Sequence, residues 1–135
     1  MRLLVDTSVF LWAMGGDERL SKSAKATMLS ADVVFVSAAS IWEISIKSSL
    51  GKLDADVTVL VARMEDAGFQ HLPVTAAHGA TVRNLPDIHR DPFDRMLVAQ
   101  AIMEPLRLLS DDDNVAKYTD LVIRVCLPRK GRPVR

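Results

Sequence analysis

His89-Arg90-Asp91-Pro92-Phe93-Asp94-Arg95 is the stretch from which the organisation of this 135-residue chain can be worked out, because it is a complete helix start followed by the apolar segment 96–103. Asp91 stands at the N-cap position, Pro92 at the first helical position and Asp94 in the first turn. An acid in a first turn complements the helix dipole, so Asp94 has a structural explanation. Its functional explanation, a ligand for a divalent metal ion, requires other carboxylates that fold back to the same point.

Short apolar runs alternate along the chain with segments of helical periodicity. The predicted strands are 3–5, 33–36, 69–72, 106–109 and 121–125. The predicted helices are 9–14, 20–31, 40–50, 56–67, 75–83 and 92–104, with a short one that ends at Tyr118. Continuous apolar runs of this length are typical of strands that are buried on both faces of a parallel sheet. The pattern predicts an α/β fold with three layers, α/β/α, and a mostly parallel central sheet.

Composition restricts the class of protein. The chain has 17 lysine and arginine residues and 17 acidic residues, so strong non-specific electrostatic binding of nucleic acid is not expected. A local basic rim around an acidic pocket is compatible with this balance. Cys126 is the only cysteine, which excludes an internal disulfide and a cysteine-based zinc site. No apolar run has bilayer length and the N-terminus lacks the shape of a signal peptide, so we expect a cytoplasmic protein without a membrane partner. We expect one domain over residues 1–127 and a basic tail over residues 128–135.

Acidic residues follow the predicted strands at what should be one edge of the sheet. The four acids are Asp6, Glu43, Asp94 and Asp112. Each has a local alternative: three stand at helix starts, and Glu43 can form a capping box with Ser40 or pair with a lysine one turn later. Such local roles do not explain why an acid follows strand after strand at one edge. The joint pattern predicts a centre for Mg²⁺ or Mn²⁺, because hard divalent ions prefer oxygen ligands and α/β sites form at the carboxyl ends of strands.

Four segments together resemble PIN-domain ribonucleases, in particular the VapC toxins of toxin–antitoxin pairs. They are residues 1–12 (MRLLVDTSVFLW), 37–47 (SAASIWEISIK), 89–97 (HRDPFDRML) and 108–112 (LLSDD), the last followed by Tyr118. By this resemblance Asp6, Glu43 and Asp94 match the family's invariant metal-site acids, and Asp112 matches the fourth, more variable acid. Ser110 replaces the family's usual threonine. The run of three acids at 111–113 leaves the position of the fourth ligand open by one residue.

The resemblance implies a PIN-like fold and an endoribonuclease that depends on Mg²⁺ or Mn²⁺ and leaves a 3′-hydroxyl and a 5′-phosphate. It also implies an RNA substrate, a homodimer and a cognate VapB-type antitoxin. One alternative is a housekeeping PIN nuclease that processes RNA or acts on DNA. A more distant one is a phospho-acceptor receiver module, which needs paired acids after its first strand and a lysine after its last. Here a single acid, Asp6, follows the first strand, and Leu127-Pro128 follows the last.

Further side chains have both a functional and a structural interpretation. Thr7 and Ser110 are expected to orient carboxylates or water through their hydroxyl groups. Arg95 can contact the RNA backbone or form a surface ion pair. His89 can touch a phosphate, although a loop histidine is more often simply solvated. Trp42 lies on an apolar helical face and is expected to pack in the core.

Overall fold

Five short parallel strands form one sheet in the computed structural model, which describes residues 1–125. The strands are β1 (Arg2–Val5), β2 (Val33–Ser37), β3 (Phe69–Leu72), β4 (Arg107–Ser110) and β5 (Val122–Arg124). Their spatial order is β3-β2-β1-β4-β5, and every neighbouring pair is parallel. The chain therefore adds β2 and β3 on one side of β1 and later returns to add β4 and β5 on the other side. The predicted parallel sheet is confirmed.

Seven helices connect and follow these strands within residues 1–125. They are α1 (Thr7–Gly15), α2 (Lys22–Ser30), α3 (Ala38–Ser49), α4 (Val57–Met64), α5 (Ala76–Val82), α6 (Pro92–Met103) and α7 (Asp113–Ala116). Local cap chemistry fixes where α6 begins: the Asp91 side chain accepts hydrogen bonds from the backbone N–H groups of Phe93 and Asp94, and Pro92 is the first helical residue. The predicted start of α6 is confirmed.

The sheet buries a different apolar cluster on each face. Leu3 and Val5 point into a cluster that α1 to α4 complete, whereas Leu4 and Leu108 belong to a second cluster, with α6 and α7. This alternation follows from the two-residue period of a strand, which sends successive side chains to opposite faces. The two clusters separate three layers, as predicted.

In α3, one of the two alternatives for Glu43 and the expected packing of Trp42 are wrong. The Ser40–Glu43 capping box does not form, because Ser37 is the N-cap and places Ser40 inside the helix, where it is buried. Trp42 is 63% exposed instead of packed in the core. The face of α3 that carries Glu43 and Ile44 is buried. Trp42 lies outside this face and packs edge-on against Phe93.

The strand order also decides against the receiver alternative. A receiver sheet has the order 2-1-3-4-5, in which the first strand is not central, whereas here β1 is the middle strand. Within residues 1–125, no helix is both long and apolar enough to cross a bilayer. Cys126 and the predicted basic tail lie outside the described residues, so the division of the chain at residue 127 remains a prediction.

Candidate metal centre

Asp6 lies where the strand order reverses, between β1 and β4. Its side chain is the N-cap of α1: Oδ1 accepts a hydrogen bond of 2.8 Å from the backbone N–H of Val9. The other oxygen, Oδ2, accepts a hydrogen bond of 2.6 Å from Ser110 Oγ at the end of β4. Asp6 is therefore both a helix cap and the link between two strands, which holds its carboxylate rigidly at the carboxyl edge of the sheet.

Glu43 reaches the same edge from α3, the helix that follows β2 without a loop. The residue is 5% exposed, and each carboxylate oxygen has a partner. Thr7 Oγ1 donates to Oε1 at 2.6 Å and also lies 2.9 Å from Ser40 Oγ. Lys47 Nζ lies 2.5 Å from Oε2, and this contact raises the pKa of the lysine. The alternative of a Glu43–Lys47 pair is thus present in the structure, together with a hydroxyl contact that no helix pattern predicts.

Asp94 occupies the first turn of α6, and its carboxylate is 20% exposed. Its Oδ2 lies 2.9 Å from His89 Nε2. Burial, and then the negative charge of Asp91, raise the pKa of Asp94 to about 7, against the lowering effect of the His89 hydrogen bond. The histidine, which was expected to be solvated, is thus a direct neighbour of a candidate metal ligand.

The three consecutive acids after β4 have different surroundings. Asp112 is the N-cap of α7: its Oδ1 accepts from the backbone N–H of Asn114, and its Oδ2 lies 4.0 Å from His89 Nε2. Asp113 forms an ion pair with Arg124. Asp111 Oδ1 is one of two buried side-chain oxygen or nitrogen atoms in residues 1–125 that lack a hydrogen-bond partner. Asp113 is therefore already neutralised, while Asp111 and Asp112 keep oxygen atoms that a cation could use.

All four predicted acids line one open cavity of about 500 Å³ at the carboxyl edge of the sheet. The pKa of Asp6 is raised to about 6: burial is the largest cause, the hydrogen bonds from Ser110 and Val9 act against it, and the charges of Asp112 and Asp111 add to it. Lys47 is the only lysine or arginine among the described residues that line the cavity. A surplus of carboxylates, two raised pKa values and an unpartnered buried carboxylate oxygen together fit a site for a divalent cation with oxygen ligands.

Sequence reasoning missed the network that fixes the loop before α6. The Arg95 guanidinium donates to the backbone carbonyls of Val82 and Pro86 and to the hydroxyl of Tyr118. The surface ion pair considered for Arg95 is therefore wrong for the part of the chain described here, and the structure does not test the RNA contact. Only the position of Tyr118 in the family pattern could have suggested this network, because its members come from three separate segments.

Comparison with known proteins identifies the family of this chain. The family model of the PIN domain matches residues 3–121. No curated protein matches the chain.

Three solved structures share the fold at low sequence identity. A chain of the VapBC2 complex from Rickettsia felis, bound to a DNA fragment from its promoter, is 12% identical, with a TM-score of 0.69 over 90% of this chain and 96% of that one. VapC20 from Mycobacterium tuberculosis, a toxin that cleaves the sarcin–ricin loop, is 16% identical, with a TM-score of 0.61 over 87% and 97%. The PIN domain endonuclease Utp24 is 16% identical, with a TM-score of 0.51 over 86% and 74%. The PIN family model matches most of the length of this chain, and the chain therefore belongs to the PIN domain family.

Proposed function

We propose that this protein is a metal-dependent endoribonuclease and that it acts in the cytoplasm as the toxin of a VapBC-type toxin–antitoxin pair. The observation that carries the proposal is that Asp6, Glu43, Asp94 and Asp112 line one cavity at the switch point of a PIN-family sheet. In this proposal these four acids hold Mg²⁺ or Mn²⁺, with Asp112 bound directly or through water. RNA is the substrate, in keeping with the RNA-cleaving VapC20, whose fold the chain shares.

Neighbouring side chains fix the orientation of two of these acids and add a positive charge to the cavity. A bound divalent ion would activate water and offset the charge on the leaving oxygen of the phosphodiester. Ser110 fixes one oxygen of Asp6, and Thr7 fixes one oxygen of Glu43, so neither carboxylate needs to reorient when an ion or substrate arrives. The Lys47 side chain is 46% exposed and contributes a positive charge to the cavity. This charge can attract a phosphate group.

The direct test is cleavage of a single-stranded RNA by purified Asp94→Asn protein in the presence of Mg²⁺ or Mn²⁺. The substitution removes one negative charge but keeps the shape of the side chain, so we expect loss of detectable cleavage with an unchanged circular dichroism spectrum. Asp66→Asn, at an exposed position outside the cavity, is the matched control and should keep wild-type cleavage. Wild-type cleavage by Asp94→Asn would refute the proposed centre.

The proposed protein partner is a VapB-type antitoxin, and the proposed assembly of the toxin is a homodimer. The antitoxin is supported by the likeness to a chain from a VapBC complex. The homodimer is supported by an apolar groove of about 460 Å³ between α3, α5 and α6, where Trp42, Phe93 and Met96 form part of the lining. Co-expression with the neighbouring small gene should yield a stable complex, and light scattering on the purified toxin should give twice the mass of the chain. Failure to co-purify, or a monomeric mass, would remove the corresponding part of the proposal.

A housekeeping PIN nuclease is the second candidate, because the endonuclease Utp24 also shares the fold. Induction of the wild-type chain in a bacterial host separates the two. A toxin should arrest growth, and the antitoxin gene should relieve the arrest. RNA cleavage by the purified protein without any effect on growth would favour the housekeeping role.

A further inference from the structure

The imidazole of His89 lies against two of the acids in the candidate metal centre. Its Nε2 is 2.9 Å from Asp94 Oδ2 and 4.0 Å from Asp112 Oδ2. One ligand atom from each of these three residues lies within 4.8 Å of the other two, so the three form a group compact enough to surround one ion. The group contains a nitrogen donor, in contrast to the four carboxylates that the sequence pattern indicated.

The separations match those between ligands of one small divalent ion. With metal–ligand distances of about 2.1 Å in octahedral geometry, adjacent ligand atoms are about 3 Å apart and opposite ones about 4.2 Å apart. The separations of His89 Nε2 from Asp94 Oδ2 and from Asp112 Oδ2, 2.9 and 4.0 Å, lie close to this range, so these side chains could hold one ion. A shared ion would replace the hydrogen bond between His89 Nε2 and Asp94 Oδ2, so that both atoms would bind the ion instead of each other.

The backbone of His89 is held in place by groups from other parts of the chain. The Tyr118 hydroxyl accepts a hydrogen bond of 2.8 Å from the N–H of His89 and donates one of 3.0 Å to its carbonyl oxygen. Arg95 Nη1 in turn lies 3.2 Å from the Tyr118 hydroxyl. One tyrosine thus satisfies both polar backbone groups of a loop residue, which fixes the point from which the imidazole extends. A preorganised donor of this kind is what a metal site requires.

We propose that His89 Nε2 is a nitrogen ligand of the divalent ion, which it shares with Asp94 and Asp112. This inference rests on the metal centre of the proposed function and specifies its ligand chemistry. Mn²⁺ and Mg²⁺ both bind well to oxygen ligands, but Mn²⁺, a first-row transition ion, accepts an imidazole nitrogen more readily than Mg²⁺ does. The site should therefore favour Mn²⁺ over Mg²⁺ by more than four carboxylates alone would, and His89 is the source of that preference.

The test uses the full chain, freed of metal and loaded with Mn²⁺ alone, without RNA. Pulsed electron paramagnetic resonance of wild-type protein should show coupling of the manganese to a ¹⁴N nucleus, and labelling with ¹⁵N-histidine should change that signal. His89→Asn should abolish the coupling and raise the Kd for Mn²⁺, measured by calorimetry, by about tenfold or more. The Kd for Mg²⁺ should change by only about threefold or less, since that ion gains little from nitrogen.

His71→Asn is the matched control, because His71 lies on the edge strand β3 and contacts Glu65. This variant should keep both the coupling and the affinity for Mn²⁺. Bound Mn²⁺ without histidine coupling in the wild type would overturn the inference and leave His89 as a hydrogen-bond partner of Asp94. The wild-type spectrum decides this even if His89→Asn does not fold. If Asp94→Asn failed to bind Mn²⁺ in that case, the metal centre of the proposed function would still stand without a histidine ligand. No binding of Mn²⁺ or Mg²⁺ to wild-type protein would instead defeat the metal centre itself.

Discussion

In the metal-free protein, ionisation of the Asp94 side chain lowers the free energy of unfolding. Its pKa is raised to about 7, mainly by burial and then by the charge of Asp91. An ordinary aspartate has a pKa of 3.8, so the folded state binds this proton more tightly than the unfolded chain does. Below about pH 4 both states are protonated and the group has no effect on stability. Between about pH 4 and pH 7 the free energy of unfolding falls as the pH rises. Above about pH 7 Asp94 is ionised in both states, and the whole of its destabilising effect is present.

We therefore expect Asp94→Asn to stabilise the metal-free protein, and to do so more at pH 8 than at pH 5. The gain in free energy of unfolding should increase between these pH values by on the order of 1 kcal/mol or more. Urea denaturation in the presence of a chelator measures it. The Asp66→Asn variant, at an exposed position outside the cavity, is the control for the substitution itself. If the wild type and Asp94→Asn had parallel pH profiles, the penalty assigned to Asp94 would be wrong.

At the scale of the element, the start of α6 combines two opposing requirements. Asp91 caps the helix by accepting from the backbone N–H groups of Phe93 and Asp94. The same carboxylate also lines the cavity and is the largest charge effect that raises the pKa of Asp94. The helix thus gains a cap at the expense of additional repulsion in the site. The two effects can be separated, because a serine keeps the cap without the charge.

Asp91→Ser should be more stable than Asp91→Ala by about 1 kcal/mol, which is the usual contribution of an N-cap side chain. Both variants should lower the pKa of Asp94, because both remove the neighbouring charge. Chemical denaturation measures the first effect, and a carboxylate NMR titration of the metal-free protein measures the second. Equal stability of the two variants would show that the cap contributes nothing, and an unchanged pKa would show that the repulsion is negligible.

The elements were also the level that sequence reasoning predicted best. Strand runs and cap residues are local signals, so the N-cap residues of α5 and α6, Thr75 and Asp91, could be predicted. The error at Ser40 arose because two serines, Ser37 and Ser40, both suited a cap, and only the length of β2 decides between them. The contacts of His89 with Asp94 and Tyr118 involve a loop that folds back on a helix, and no periodic pattern encodes that.

At the scale of the whole molecule, the centre depends on the packing beneath it. β4 contributes Leu108 to the apolar cluster under α6, and the same strand ends in Ser110, which contacts Asp6. The sequence could predict that acids follow the strands, but not which strands are neighbours. The order β3-β2-β1-β4-β5 places β4 beside β1, and this brings Asp6 beside Ser110.

Leu108→Ala should lower the free energy of unfolding by roughly 2–5 kcal/mol, the usual cost of removing a fully buried leucine side chain. Thermal or urea denaturation measures this loss. Leu29→Ala is the matched control, since Leu29 is 88% exposed, and should change the stability by less than about 0.5 kcal/mol. A similar effect of the two substitutions would contradict the assignment of Leu108 to the core.

The central position of β1 has a consequence for the synthesis of the chain. The hydrogen bond between Asp6 and Ser110 spans 104 residues, so the Asp6 side chain leaves the ribosome well before its partner does. Until Arg107–Ser110 emerges, β1 has an unpaired edge and Asp6 lacks its partner on β4. A nascent chain that lacks β4 has an incomplete cavity. Under the proposed function, such a chain cannot cleave the RNA of the ribosome that synthesises it.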